Sequence, residues 1–359
     1  MPDEIRLSVV IVTFDSGDAL AASLPPLVAQ LGPGDELIVV DNASADRTVE
    51  RVRELAPAAR LLALEGNVGF AAGCNAGAAG AAGELLVFLN PDAVVADGFA
   101  AAIRRPLAER RGLGAWMGLV TAERGAVINT SGGVVHFTGI AWAGRAGEPA
   151  AAAPAAPGAV AFASGACLAV PRGEWERLGG FPPEFFMYCE DVELSLRLWL
   201  WGGRVGIEPA ARVDHDYAFA KGERKWRLLE RNRWATIVRT YPGPLLALLA
   251  PALVATELAL LAIAPASGWG AAKRAATGDT LRALPRLLRE RRAIQARRAV
   301  GAAEFARLLT PELASPYLGR AGRSGLLRLA LRGYWAGVLA LLTRLSGRRA
   351  GSPRRGAAR

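Results

Sequence analysis

The sequence predicts an α/β fold, a doubly wound and mostly parallel sheet, followed by an all-α, basic C-terminal region. Three observations carry this expectation. Apolar runs rich in Val, Ile and Leu recur at residues 7–13 (LSVVIVT), 36–40 (ELIVV) and 84–89 (ELLVFL). They are continuous rather than alternating, as strands covered on both faces must be. Helical stretches at about 18–31, 46–56 and 71–82 separate the apolar segments, giving β-α-β-α-β-α-β over the first 90 residues. From about residue 222 the pattern is helical to the end.

Further along, residues 143–158 (AGRAGEPAAAAPAAPG) read as a surface loop. Residues 160–170 read as a strand, and residues 190–201 (EDVELSLRLWLW) as a helix, apolar nearly all round. The expected division is an α/β body over residues 1–240 and a helical region over 241–359. Charge changes sign near the same place. Residues 1–220 carry 16 Arg/Lys against 26 Asp/Glu, and residues 221–359 carry 27 against 7. The overall net charge of +10 is therefore a strongly basic tail on an acidic body.

Composition excludes several classes. Three cysteines without a CxxC pair exclude a disulfide scaffold, and two histidines exclude a His-rich zinc site. No GxGxxG or GxxxxGK[ST] is present, so dinucleotide and P-loop sites lack support. No nucleic-acid-binding module accompanies the arginines. The N-terminal MPDEIRLSVV is acidic where a secretion signal is basic, which predicts a cytoplasmic, reducing compartment.

In a doubly wound sheet, ligands sit outside the C-terminal ends of the strands. Thr13–Asp15, Asp41–Asn42 and Asn90–Asp92 stand there. Asp41 follows four apolar strand residues, and Asn42, Ser44 and Asp46 then form a turn and a helix start. Asn90-Pro91-Asp92 again follows a strand, with Pro91 stiffening the turn that presents Asp92. One carboxylate with waters and phosphate oxygens is a common way to hold Mg2+ or Mn2+ on a nucleotide diphosphate. Both sequences also suit an ordinary turn. Glu190 and Asp191 open the later helix, either as acids favoured by the helix dipole or as a general base. His215 lies between Asp214 and Asp216 as a structural histidine or as a metal or phosphate ligand. The stretch EGNVGFAAGCNAGAAGAAG places Asn67 and Asn75 among glycines, where backbone can approach a ligand and the amides can bond it.

Taken in order, SVVIVTFD (8–15), ELIVVDNASADRT (36–48), GNVGFAAGCNAG (66–77), FLNPDAVV (88–95), SGACLAVPR (164–172), GGFPPEFFMYCEDVELSLRLWLWG (179–202) and VDHD (213–216) resemble the inverting GT-A glycosyltransferases of family 2, particularly bacterial rhamnosyltransferase-like members. The resemblance spans about residues 5–240 and implies a metal-dependent transfer of a sugar from a nucleotide-diphosphate donor to a glycan or lipid-linked acceptor hydroxyl. It implies that Asp41 contacts the base or ribose, with Thr13 beside the nucleotide. Asn90 and Asp92 would occupy the DxD-like motif, with Asp92 on a divalent cation, Mg2+ or Mn2+, and His215 near the metal and diphosphate. Asp191 would be the base, assisted by Glu190. Asp15 stands where the family usually has Asn, Asn90 where many members have Asp, and PPEFF replaces the usual DERFF. A nucleotidyltransferase is the competing enzyme class, disfavoured by the lack of a basic glycine loop. A non-catalytic, membrane-tethered sugar-nucleotide binder is the other alternative.

Residues 245–264 hold ten Leu/Ile/Val, one acid, Glu257, and one proline, Pro251. The apolar residues contribute about −5 kcal/mol to insertion, and a central acid opposes this by about +3. Arginines flank both ends. The expectation is a hairpin broken near Pro251 or helices lying on an anionic surface, together with an interfacial helix at 326–345. Both place the enzyme on the cytoplasmic face of the cell membrane.

Overall fold

The computed structural model describes residues 5–216, 222–314 and 324–350. Its first ninety residues alternate strand and helix: β1 (Leu7–Thr13), α1 (Gly17–Val28), β2 (Glu36–Asp41), α2 (Thr48–Leu55), β3 (Arg60–Ala63), α3 (Phe70–Ala78) and β4 (Leu85–Leu89). β1, β2 and β4 are almost wholly buried, as continuous apolar strands covered by helices must be. β5 (Val94–Val95), α4 (Phe99–Ala108), β6 (Ala115–Ala122) and β7 (Val127–Thr130) follow. A separate hairpin, β8 (Gly133–Val135) with β9 (Ala141–Ala143), precedes β10 (Gly158–Ala159) and β11 (Cys167–Pro171). The body closes with α5 (Arg172–Leu178), α6 (Glu190–Leu200) and β12 (Val205–Asp214).

The main sheet runs β10-β12-β6-β11-β4-β1-β2-β3. β3, β2, β1 and β4 are mutually parallel. β11 is antiparallel to both β4 and β6, and β6 is parallel to β12. β6 and β12 thus point the same way as β4, while β11 begins where they end. This topology brings the ends of β1, β2, β4, β6 and β12 and the start of β11 to one edge.

Two expectations are corrected. The strand expected over 160–170 is confined to Cys167–Pro171. Ser164, Gly165 and Ala166 instead form a turn, whose carbonyls and N–H groups serve the site described below. The hairpin expected near Pro251 is an unbroken helix, α8. Pro251 sits inside it on an exposed face, where loss of one backbone bond is solvated rather than buried.

The C-terminal region is α7 (Gly222–Thr240), α8 (Gly243–Ala266), α9 (Gly270–Ala296), α10 (Ala302–Ala306) and α11 (Gly325–Ala350). It is bound into the body by a second apolar core, in which Val135, Phe137, Phe162, Val192 and Leu196 meet Ile237, Tyr241, Leu249, Phe305 and Trp335. Phe137 stacks on Trp335 with centroids 5.1 Å apart. The Phe137 amide donates to Thr310 O (3.1 Å), and the Thr310 amide donates to Val135 O (2.9 Å).

Charge explains Glu257. It faces inward, accepting from Lys273 Nζ (2.7 Å), Arg233 Nη2 (3.1 Å) and Trp234 Nε1 (3.0 Å). Glu230 pairs with the same two cations. Two acids alternate with two bases, so each buried charge has a partner. These pairs cross the expected division at 240/241.

Candidate active site

The parallel strands end in a row of polar side chains. At the end of β1, Thr13 Oγ1 donates to Asp41 Oδ1 across the strand pair (3.0 Å). Asp41 is buried and also accepts from Ser44 Oγ (2.5 Å) and the Ser44 amide (3.0 Å). Asp15 is exposed and bonds the same turn: its Oδ1 accepts from the Ala45 amide (2.8 Å), and its own amide donates to Ser44 Oγ (2.9 Å). Asp15 and Ala43 both have left-handed φ, +48° and +60°. Asp15 and Asp41 together hold a defined 41–46 turn at the sheet edge.

The glycine-rich segment works differently from expectation. Asn42 accepts from the Val68 amide and donates to Gly69 O (3.3 and 3.4 Å), stapling that loop from below. Asn67 is exposed and accepts locally from the Gly69 amide (2.9 Å). Gly69 has φ +87°, and a Cβ there would lie 2.5 Å from Phe186 O. Its glycine therefore serves contact with the aromatic loop rather than with a phosphate. Gly73 and Gly77 let α3 lie flat on Val12 and Val10. Asn75 is a strut: its Nδ2 donates to Phe181 O (2.8 Å) and its Oδ1 accepts from the Phe181 amide (2.9 Å). Both ends of the amide expected to bond a ligand are thus engaged with backbone.

After β4 the NPD turn meets the end of β12. His215 is buried, and its Nε2 lies 3.1 Å from Asp92 Oδ1 and 3.2 Å from Asn90 Nδ2. One ring nitrogen cannot donate to the carboxylate and accept from the amide together. With Nε2 unprotonated it accepts from Asn90, and its lone pair lies beside the Asp92 carboxylate. That pairing of imidazole and carboxylate is a donor set suited to a divalent cation. The Asp92 side chain is 45% exposed, so donor oxygens and water can complete the shell. No cluster of three His, Cys, Asp or Glu exists among the described residues. Asp214 and Asp216 have other partners. They accept from Thr121 Oγ1, the Gly125 amide and the Glu123 amide, holding the β6–β7 turn.

Asp191 reaches the same edge through the 164–166 turn. Its Oδ2 accepts from the Gly165 amide (2.9 Å), while the Asn90 amide donates to Ala166 O (3.2 Å). Two neighbouring residues thus connect the acid to the NPD turn. Burial pushes the Asp191 carboxyl above the usual aspartate range, and the backbone N–H groups of Gly165, Val192 and Asp191 itself oppose the shift. Glu190 is buried, and its Oε2 has no hydrogen-bond partner among the described residues. Burial, and then the charge of Asp191, push its carboxyl well above the usual range. A neutral acid is the physically consistent state for a buried Glu190 with one unpartnered oxygen. It lies within electrostatic reach of buried Cys74 of α3, so it sits near the core.

The segment before α6 is strained. Phe186, Tyr188 and Cys189 have φ of +64°, +71° and +65°, each costing about 1–3 kcal/mol in a non-glycine residue. Asn232 of α7, which the sequence reading missed, donates to three carbonyls of this segment. The available signal was a polar Arg-Asn-Arg trio at 231–233.

The family model for "Glycosyl transferase family 2" matches residues 8–125. The chain carries a family 2 glycosyltransferase domain. This glycosyltransferase is similar to the N-acetylglucosaminyl-diphospho-decaprenol L-rhamnosyltransferase of Mycobacterium tuberculosis. The two are 28% identical over 238 residues, covering 60% of this chain and 78% of that protein. It is also similar to the O-antigen biosynthesis protein RfbC of Myxococcus xanthus, 30% identical over 255 residues, covering 67% of this chain and 19% of that protein. In fold, the glycosyltransferase is similar to GalNAc-T7, solved with UDP, GalNAc and Mn2+. The TM-score is 0.56 at 17% sequence identity, over 68% of this chain and 49% of that one.

Proposed function

We propose that this glycosyltransferase moves a sugar, rhamnose in the first instance, from a nucleotide-diphosphate donor to a hydroxyl of a glycan or lipid-linked acceptor in cell-envelope polysaccharide synthesis, with inversion. The observation that carries the reading is the convergence of Asp41, Asp92 with His215, and Asp191 on one sheet edge. The name of the Mycobacterium tuberculosis relative supports the sugar and the class of acceptor, and that of the Myxococcus xanthus relative supports polysaccharide synthesis. The Thr13–Asp41–Ser44 group and Asp15 present a rigid turn to the nucleoside. Asn67 lies beside them on the glycine loop.

Asp92 and His215 would hold a divalent cation together with the donor diphosphate, with Asn90 fixing the imidazole. When bound, such a cation supplies positive charge against the departing diphosphate. Asp191 takes the proton of the acceptor hydroxyl as that oxygen bonds the anomeric carbon. One base and one displacement give inversion, with no second carboxylate nucleophile needed. Glu190, held neutral, shapes the wall behind the base. The test is a donor screen with dTDP-rhamnose, UDP-glucose, UDP-galactose and GDP-mannose, Mn2+ or Mg2+, and a diphospholipid-linked N-acetylglucosamine acceptor. Transfer from dTDP-rhamnose with inverted configuration is expected. Transfer from none of the four sugars would overturn the reading.

The same reading places the enzyme on the cytoplasmic leaflet. α8 and α11 are long and apolar enough to cross a membrane. α8 exposes Val254, Leu258, Leu261 and Ile263, and α11 exposes Leu326, Leu329, Leu341 and Leu345. α9 folds back along α8, tied by Lys273 to Glu257, and carries many arginines. A spanning α8 would carry that charged partner into hydrocarbon, which favours helices lying in the interface. Full-length protein is expected to float with anionic liposomes, and Val254→Glu/Leu258→Glu to stay behind. Equal flotation of both would place the contact elsewhere.

A further inference from the structure

We infer that Asn232, with Arg231, is a positioning residue that holds the strained 185–189 segment and thereby aims Asp191 at the acceptor. The inference rests on the reading of Asp191 as the base. Asn232 is almost completely buried. Its Nδ2 donates to Phe185 O (3.0 Å), Met187 O (2.9 Å) and Tyr188 O (2.7 Å). Three acceptors share two hydrogens, so the amide is centred on the loop rather than on one residue. Arg231 Nε donates to Asn232 Oδ1 (2.9 Å), which fixes the amide with its nitrogen toward the loop. Arg231 Nη2 adds bonds to Glu184 O (2.9 Å) and Phe185 O (2.8 Å).

The held segment is the one with three left-handed, non-glycine residues, and it ends one residue before Glu190. Such a conformation persists only where the surroundings impose it. α7 is itself anchored. Arg233 binds Glu257 on α8, Glu230 binds Lys273 on α9, and Arg239 Nε binds Glu193 of α6 (2.9 Å). α7 therefore grips both the loop before Asp191 and the helix that carries it. Phe186 transmits the hold to the donor side, because its carbonyl accepts from the Ala71 amide (3.1 Å) beside Gly69. The first helix of the basic region completes the active site from behind.

The test compares Asn232→Ala and Asn232→Asp in the full chain. The second keeps the shape and removes the donors. Both are expected to lower kcat at least about tenfold, with donor KM within about twofold of wild type. Cys189 provides a readout apart from activity. It lies in the held segment, whereas Cys74 and Cys167 are in the core. Native thiol labelling of Cys189 is expected to accelerate at least about tenfold in both variants, with Cys74 and Cys167 unreactive. In the double variant with Asp191→Asn, activity should fall no further than in Asp191→Asn alone, since the two act as one unit.

Wild-type kcat and wild-type Cys189 labelling would overturn the inference, as would a wild-type-like Asn232→Asp beside an impaired Asn232→Ala. If Asn232→Ala opens all three thiols, Arg231→Gln, which removes two of the loop contacts from a less buried position, is judged by the same criteria. A fully active Asp191→Asn would refute the base assignment instead, and Cys189 labelling would still report the hold.

Discussion

Asp191→Asn is expected to lower kcat at least about a hundredfold while donor affinity stays within about twofold, the size of effect usual for a general base. Three features of the site set this expectation. The carboxylate sits at the sheet edge, bonded to the Gly165 amide next to the residue that binds the NPD turn. Burial raises its proton affinity above the aspartate norm, which strengthens it as a base once ionised. The base works only when deprotonated, so kcat/KM for the acceptor should rise with pH through that raised value and level off above it. Glu190→Gln should be the milder change, because an amide replaces a buried acid that is already neutral. Steady-state kinetics with calorimetry on the donor decides the matter. A more severe loss from Glu190→Gln would exchange the two roles, and a profile flat down to about pH 4 would remove the titrating base.

Asp92→Ala is expected to abolish transfer and to make nucleotide-diphosphate affinity indifferent to EDTA. The wild type should lose both turnover and tight nucleotide binding when EDTA is added, and regain them with excess Mn2+ or Mg2+. Asp92 is the exposed carboxylate of its pair, whereas His215 is buried behind it. Removing the carboxylate leaves the imidazole with Asn90 as its neighbour and the site with one donor fewer. Full turnover of wild type in excess EDTA would sink the idea.

Much of the fold was legible because the parallel strands are continuous apolar runs, and such runs have few other uses in a short segment. β3 was the weak member, with a half-buried edge strand giving little contrast. Residues 160–166 looked like strand from their small and apolar residues, yet tertiary bonds use them as a turn. Pro251 read as a break because sequence does not show which helix face meets solvent. The site was legible where acids follow strands, since topology alone brings strand ends together. It was not legible where function depends on distant partners. The backbone partners of Asn42 at 68–69 and of Asn75 at 181 give no signal in the sequence. Asn232 looks like an ordinary helix residue until the carbonyls at 185, 187 and 188 converge on it. The role of Glu257 likewise waits for Lys273.

The bonds between the β8–β9 hairpin and Thr310 join residues about 175 positions apart in the chain. On the ribosome the Rossmann-like half therefore emerges with Val135, Phe137 and Phe162 only partly covered, by Val192, Leu196 and Leu200 of α6, and Ile237, Tyr241, Phe305 and Trp335 follow later. Until then the nascent protein shows apolar surface on its body as well as on α8, a state prone to capture by chaperones or by lipid. The loop before Asp191 also lacks its hold until α7 has left the exit tunnel. The loop before the acid pair is thus held only once α7 has packed on the body.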